Sequence, residues 1–213
     1  MSTRTLPPYN IILFSGGKTA GSTLHKSFLH LSKYKPIHIH TNRCFEASQM
    51  AGVPPFIKNK YPKDIFHYID KKKKVFIFEV YRNPTERKIS SYFQNYKHNR
   101  LSFKVPNNIS IDDEVDYFNI NIYHHIENYE SVAEVKKHYD IKLKDRGEYW
   151  EGTNKNINLI RLKFKYINNW ESLIQEKLND EDFKIINYNE SKNKEYYDYY
   201  QKFKKIYLEK YIL

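Results

Sequence analysis

Three of the six glycines of this chain lie within Gly16–Gly21, between a short apolar run and an amphipathic segment. The run Asn10–Phe14 (NIILF) predicts a buried strand, and Ser22–Lys33 predicts a helix because its large apolar residues recur every three to four positions. Glycine permits close approach to the backbone, and the free N–H groups at the start of a helix attract anions. The junction therefore predicts an anion-binding loop between a strand and a helix.

The rest of the chain continues this alternation of apolar runs and helical segments. The predicted strands are Pro36–Thr41, Val75–Tyr81, Asn158–Leu162 and Phe183–Asn187, and the predicted helices are Pro84 to about Tyr96, Ile111–His125, Tyr129–His138, Trp170–Leu178 and Lys194–Tyr211. Near-continuously apolar strands that alternate with helices are typical of a parallel sheet covered on both faces. We predict an α/β fold of three layers, with a central parallel sheet of about four to five strands flanked by helices, in a single domain spanning residues 1–213.

Length, net charge and cysteine content limit the kinds of fold and of binding partner that this chain can have. The 213 residues suffice for one α/β domain with a core. Thirty-six Lys and Arg against 25 Asp and Glu give a net charge of +11, which favours anionic partners without choosing among nucleic acid, a membrane surface, a nucleotide and an acidic glycan. The single cysteine, Cys44, cannot form an internal disulfide. No apolar run approaches the roughly 20 residues of a membrane span, so we expect no such span and a cytoplasmic location.

The glycine loop does not fit the nucleotide P-loop. Gly17-Lys18-Thr19 reproduces the end of that motif, but the motif requires its first glycine at position 12, where this chain has Ile12. The hexapeptide Lys18–Thr23 (KTAGST) instead resembles the 5′-phosphosulfate-binding loop of sulfotransferases that use 3′-phosphoadenosine 5′-phosphosulfate (PAPS). The resemblance implies that the nucleotide is held by Gly17, Lys18, Thr19, Ala20, Gly21, Ser22 and Thr23.

A second segment, Tyr81–Phe93 (YRNPTERKISSYF), resembles the 3′-phosphate-binding motif of the same enzymes. In that motif an Arg ends a strand, a Pro begins a helix and a Ser lies eight residues after the Arg; Arg82 and Ser90 occupy those two positions. Asn83 replaces the usual Asp but is also a good helix cap. Pro84 suits the first helical position, and Glu86 completes a capping-box pattern. A guanidinium group matches phosphate oxygens in geometry and charge.

The chain also resembles, more loosely, a bacterial and viral sulfotransferase-like family associated with capsular polysaccharide synthesis. The matching stretches are the HIH strand, Asn158–Leu162 (NLIRL) and the helical pattern from Asn187 to Phe203. The resemblance implies a P-loop-like sulfotransferase fold, PAPS as co-substrate, adenosine 3′,5′-bisphosphate (PAP) as product, and a hydroxyl-bearing acceptor such as a glycan, without a metal.

Sulfuryl transfer requires a base for the acceptor and a cation for the leaving phosphate oxygen. Lys18 is the candidate cation. Histidine suits the base because its reference pKa, about 6.5, lies near working pH, and the resemblance to enzymes with a His-x-His assigns the role to His40, with His38 as a supporting residue. The competing histidines are His25, His67 and the pair His124-His125. No Cys/His cluster has metal-ligand spacing, so we predict no metal.

Several further segments have more than one interpretation, and two alternative functions are also consistent with the sequence. Arg146, Tyr149 and Trp150 occur in a loop-like stretch that is either a grip for a sugar or adenine or an ordinary surface loop, and Asn187 and Lys192 are further candidates near the nucleotide. The tyrosines of Tyr196–Tyr200 have helical spacing and predict a packing face. The alternatives are a P-loop-type small-molecule kinase and a basic nucleic-acid-binding protein, although no recognition-helix, zinc-finger or RNP-type signature is present and we expect no stable nucleic acid partner.

Overall fold

The computed structural model describes residues 10–15, 20–34, 36–39, 50–51, 73–126, 132–186 and 195–212. The chain divides into two compact units, each described by itself below. The first comprises Met1–Arg82 with Tyr129–Tyr188, and the second comprises Asn83–Asn128 with Asn189–Leu213.

The described elements follow the predicted order closely. They are β1 (Ile11–Phe14), α1 (Gly21–His30), β2 (Pro36–Ile39), β3 (Met50–Ala51), β4 (Val75–Tyr81), α2 (Pro84–Gln94), α3 (Tyr96–Ser102), α4 (Ile111–Tyr117), α5 (Val132–Tyr139), β5 (Lys144–Asp145), β6 (Tyr149–Asn154), β7 (Ile157–Lys163), α6 (Trp170–Leu178) and α7 (Tyr197–Tyr211). A π-helical turn, Phe118–Ile122, and a 3-10 turn, Tyr123–His125, continue α4, and a second 3-10 segment, Phe164–Asn169, precedes α6.

The first unit contains one mixed sheet with the strand order β3-β2-β1-β4-β7-β6-β5. Strands β2, β1, β4 and β7 are parallel, which confirms the α/β class and the parallel centre of the sheet. The sheet is larger than the four to five strands predicted and is mixed, because β3, β6 and β5 add antiparallel strands at its edges. Strands β6 and β7 are joined by only two residues, and so short a connection requires an antiparallel hairpin.

Alternate residues of the central strands supply two hydrophobic layers, as the period of two requires. On the first face, Ile12, Ile77 and Leu159 pack with Val135 of α5. On the second face, strand residues such as Leu13 and Phe78 pack with α1 and α6. Both faces are therefore covered by helices, as predicted.

One predicted strand of the first unit does not form. The segment Phe183–Asn187 has no regular secondary structure over its described residues. Phe183 packs on Phe28, with ring centroids 4.8 Å apart, and the Ile186 N–H donates to Ser27 Oγ at 2.9 Å. Its apolar residues are thus used to cover α1 and not to extend the sheet.

The second unit is helical and begins with the capped helix that the sequence predicts. Asn83 Oδ1 accepts hydrogen bonds from the N–H groups of Thr85 at 2.9 Å and Glu86 at 3.3 Å. The capping-box pattern directs the Glu86 carboxylate back towards Asn83, but this carboxylate contacts Lys204. The predicted packing face of the C-terminal helix is also found, since Tyr200 is buried against Phe93.

A buried carboxylate organises this helical core. Glu114 is fully buried and accepts hydrogen bonds from the hydroxyl groups of Tyr92 at 2.6 Å, Tyr96 at 2.9 Å and Tyr199 at 3.0 Å. The Arg100 guanidinium also contacts it and supplies the compensating charge. Four donors from three other helices therefore meet at one carboxylate.

We expect the free energy of unfolding to fall as the pH rises above about 10. Burial, followed by the hydrogen bond to Glu114, raises the pKa of Tyr92 above its ordinary value. A tyrosine whose pKa is higher in the folded than in the unfolded state stabilises the fold at every pH below the unfolded pKa. This stabilisation is lost progressively as the pH rises from the unfolded pKa towards the folded pKa. Tyr92 alone contributes a slope of up to about 1.4 kcal/mol per pH unit. Urea denaturation at a series of alkaline pH values measures the slope, and an identical slope for wild type and Tyr92→Phe would contradict the assignment.

Candidate functional site

The carboxyl ends of the central parallel strands meet at one edge of the sheet. Phe14, the last residue of β1, lies in register with Ile39 of β2 and Glu79 of β4. The Ser15 N–H continues this register by donating to the Ile39 carbonyl at 3.0 Å. Arg82 directly follows β4, the neighbour of β1. The glycine loop and Arg82 therefore leave adjacent strands, about 5 Å apart, at the same edge.

Helix α1 begins in direct contact with the strands beneath it. Ala20, its N-cap residue, has the left-handed dihedrals φ 59° and ψ 19°. A Cβ atom added to Gly21, the first helical residue, would lie 1.7 Å from Ser15 Oγ and 2.6 Å from His38 Nε2. Only glycine fits here, because two side chains already occupy the space of a Cβ. The absence of a side chain lets the first turn of the helix rest on β1 and β2.

Ser15 and His38 form a buried polar pair under this turn. Their Oγ and Nε2 atoms share a hydrogen bond of 2.6 Å, and each residue is only 2% exposed. The ring of His25, one turn into α1 and also buried, lies 5.4 Å from the His38 ring. His38 lies on the opposite face from Ile37 and Ile39, as the alternation of PIHIHT predicts. The contact between His38 and Ser15 was not predicted. The sequence does contain a signal for it, because the two-residue alternation of a strand puts both side chains on the same face of neighbouring strands.

The described part of the glycine loop forms the start of α1. Ala20, Gly21, Ser22 and Thr23 are its cap and first residues; Ser22 is partly exposed, and Thr23 is buried. The other site residues predicted here, together with three secondary candidates, lie outside the described residues: Gly17, Lys18, Thr19, His40, His67, Asn187 and Lys192.

The two residues of the second motif belong to different units. Arg82 ends the first part of the first unit, and its guanidinium lies 4.6 Å above the ring centroid of Phe164. Phe164 directly follows β7, so its ring forms part of the same sheet edge. Sequence reasoning did not identify Phe164, although its position immediately after an apolar strand is a usable signal. Ser90 lies in α2 of the second unit, where its side chain is partly exposed.

The stretch around Trp150 is a strand and not the predicted loop. Within β6, the Trp150 ring meets the Tyr81 ring edge-on at 5.4 Å. The Arg161 guanidinium lies 4.7 Å from the Tyr81 centroid and 5.4 Å from that of Trp150, and its Nε donates to the Glu79 carboxylate at 2.7 Å. Trp150 thus packs beside Tyr81, the residue that precedes Arg82.

The two other candidates in that stretch have separate partners. Tyr149 lies on the opposite face of the sheet from Trp150, and Lys177 Nζ lies 4.9 Å from its ring centroid. Arg146 pairs with Glu151 at 2.8 Å. The structure therefore does not gather Arg146, Tyr149 and Trp150 into one site.

Two further findings concern the described residues only. They contain no group of three or more His, Cys, Asp or Glu side chains suited to a metal ion. Within the same ranges, no helix combines the length and the apolar character needed to cross a membrane. The competing histidines His124 and His125 are exposed in their 3-10 turn.

Comparison with protein-family models, with curated proteins and with solved structures found no match to this chain. The function therefore has to be inferred from the two motifs and the geometry at the strand ends.

Proposed function

We propose that this protein is a PAPS-dependent sulfotransferase with a P-loop-like sulfotransferase fold, which transfers the sulfo group of PAPS to a hydroxyl group of an acceptor such as a carbohydrate. The observation that carries the proposal is the position of the two phosphate motifs on neighbouring parallel strands. The loop of the first motif joins β1 to α1, and Arg82 of the second follows β4. Ligands of open α/β sheets bind at this edge.

The residues at the start of α1 suit the 5′ end of the nucleotide. Gly21 lets the first turn of α1 rest on β1 and β2, and the first amides of this helix carry a partial positive charge that attracts anions. The hydroxyl groups of Ser22 and Thr23 add donors, and Lys18 supplies a full positive charge. Arg82 is assigned to the 3′-phosphate, since its planar fork can donate two parallel hydrogen bonds to phosphate oxygens.

The proposed reaction needs one proton acceptor and one cation from the protein. The acceptor hydroxyl oxygen attacks sulfur, the bond from sulfur to the 5′-phosphate oxygen breaks, and the bonding electron pair stays on PAP. His40 takes the hydroxyl proton, and Lys18 neutralises the charge that develops on the phosphate oxygen. A sulfo group carries less charge than a γ-phosphoryl group, so a lysine and backbone amides suffice to stabilise the transition state.

Burial argues against His38 and His25 as the base. His38 already shares its Nε2 with Ser15 and is 2% exposed, and His25 is 5% exposed within α1. A base must come within hydrogen-bond reach of the acceptor hydroxyl. His40 is the residue that follows β2 in the sequence, and we retain it as the proposed base.

Titration calorimetry with PAP tests the proposal. We expect tight binding without Mg²⁺, and about a 10- to 100-fold loss of affinity for Lys18→Ala and for Arg82→Ala, because each removes a charged hydrogen bond to phosphate. Lys26→Ala, which removes an exposed lysine of α1, is the matched control and should change the affinity little. His40→Ala should keep PAP binding and abolish sulfation of an acceptor panel.

Two outcomes would overturn the proposal. Wild-type protein that does not bind PAP at high micromolar concentration is not a PAPS enzyme. Mg²⁺-dependent binding of ATP in preference to PAP would instead favour the kinase alternative, despite Ile12 in the place of the first P-loop glycine.

A further inference from the structure

The outer edge of the sheet carries a row of cations. Three exposed cations alternate with residues whose side chains point to the opposite face: Lys142, Lys144 and Arg146. Ile141 and Leu143 pack against the core of the first face, so the three cations lie on the opposite side of this extended segment. Where this segment is a strand, at Lys144 and Asp145, alternate residues lie about 6.6 to 6.8 Å apart along the edge.

The backbone at this edge has hydrogen-bonding groups directed outward. Strand β5 is the last of the sheet order among the described strands. The Arg146 N–H donates to the Tyr149 carbonyl at 2.8 Å, and Lys144 is in register with Glu151. In an antiparallel ladder alternate residues bond to the neighbouring strand. The C=O group of Leu143 and the N–H and C=O groups of Asp145 therefore point away from β6, where another strand can pair with them.

Among the described residues, only Arg146 of the three cations has an acidic partner. Arg146 pairs with Glu151, which also pairs with Lys177 at 2.9 Å. Lys177, and to a smaller extent Arg146, lowers the pKa of Glu151, so this carboxylate is charged at neutral pH. Within the described residues, Lys142 and Lys144 make no ion pair. A groove between this segment and β6 is lined by the three cations together with Glu151, Thr153 and Asn154. Asp140 is the one further charge in its described lining.

We propose that this edge, residues 141–146, binds an extended acidic peptide segment of a partner protein as an added β-strand. Side chains of a strand recur on one face every second residue, with the same spacing as the cations. Acidic residues at alternating positions of the peptide would lie opposite Lys142, Lys144 and Arg146, while its main chain pairs with Leu143 and Asp145. The inference is independent of the proposed sulfotransferase activity, because it uses none of the residues assigned to that activity.

The chemistry of the groove favours a peptide over a nucleic acid. Single-stranded nucleic acids bind through aromatic side chains on which their bases stack, and the described lining of this groove contains none. A phosphodiester chain also lacks the alternating N–H and C=O groups that an open strand edge can pair with. The alternative interpretation is that these lysines only prevent association, as lysines on edge strands commonly do. If that were their only role, no peptide would bind.

Fluorescence anisotropy with labelled peptides tests the inference. The probe is a blocked peptide with glutamates at alternating positions, such as Glu-Val-Glu-Val-Glu, and its control has the same composition with the glutamates contiguous. We expect the alternating peptide to bind about tenfold more tightly, and Lys142→Glu/Lys144→Glu to weaken it about tenfold or more. The control variant Lys136→Glu/Lys137→Glu makes the same change of charge at exposed positions of α5 and should leave the affinity within about twofold.

A second measurement separates strand addition from simple charge attraction. N-methylation of the peptide amides that would pair with the edge should weaken binding about tenfold, whereas methylation of the alternate amides should not. The proposal is wrong if both peptides bind equally, if neither binds, or if Lys142→Glu/Lys144→Glu has no effect while thermal melting shows a folded protein. A single-stranded oligonucleotide that binds this edge more tightly than the alternating peptide would also overturn it.

Discussion

Glu114→Ala is expected to lower the free energy of unfolding of the second unit by about 3–5 kcal/mol. The Glu114 carboxylate is completely buried, and its removal leaves the hydroxyl groups of Tyr92, Tyr96 and Tyr199 without their acceptor. It also leaves the positive charge of Arg100 without its counter-charge in a largely buried position. Urea denaturation followed by circular dichroism measures the loss.

Two further variants isolate the cause. Glu114→Gln keeps the shape and one acceptor oxygen but removes the charge, so an intermediate loss is expected. Asp116→Ala removes an exposed carboxylate of the same helix, which pairs with Lys210 at 2.5 Å, and should cost less than about 1 kcal/mol. If Glu114→Ala costs no more than Asp116→Ala, the carboxylate does not hold this core together.

Much of the architecture could be predicted because the apolar periodicity of the chain is strong. Val75–Tyr81 and Trp170–Leu178 form the predicted strand and helix with the same bounds. Strand β6 was missed because its sequence, YWEGTN, is polar and contains a glycine. Its hairpin was missed because the connection lacks the usual glycine; Lys155 adopts the left-handed backbone there, with φ 52°. Neither feature leaves a clear local signal.

The interior polar groups illustrate what local sequence cannot predict. Glu114 stands among aspartates that indicate a solvated helix, and it is buried only because tyrosines from other helices converge on it. The Ser15–His38 pair requires the parallel register of β1 and β2, which no single segment encodes. The glycine cluster, by contrast, was informative from the sequence, since a side-chain-free residue where a helix meets a strand predicts close packing or a ligand.

Gly21→Ala is expected to weaken PAP binding about 100-fold or more, and this expectation rests on the proposed function. The new Cβ would lie 1.7 Å from Ser15 Oγ and 2.6 Å from His38 Nε2. Both side chains are buried and hydrogen-bonded to each other, so they cannot yield without breaking that bond. Ser15 Cβ would also lie 2.6 Å from the new atom, so rotation of the Ser15 hydroxyl does not relieve the clash. The first turn of α1 therefore has to shift, which moves the amides assigned to the phosphate. Calorimetry with PAP measures the loss, and thermal melting shows whether the variant is folded.

The neighbouring position provides a reciprocal control. Ala20 has a left-handed backbone, a conformation that costs an alanine free energy and that glycine adopts readily. Ala20→Gly should therefore retain PAP binding and leave the free energy of unfolding unchanged or raised by up to about 1 kcal/mol. The two substitutions exchange the same residue types at adjacent positions. Loss of binding in Gly21→Ala but not in Ala20→Gly would show that space at Gly21, and not flexibility of the loop, sets the binding geometry. If wild type binds PAP and a folded Gly21→Ala binds it equally well, the start of α1 is not the phosphate site; if wild type does not bind PAP, the proposed function itself is wrong.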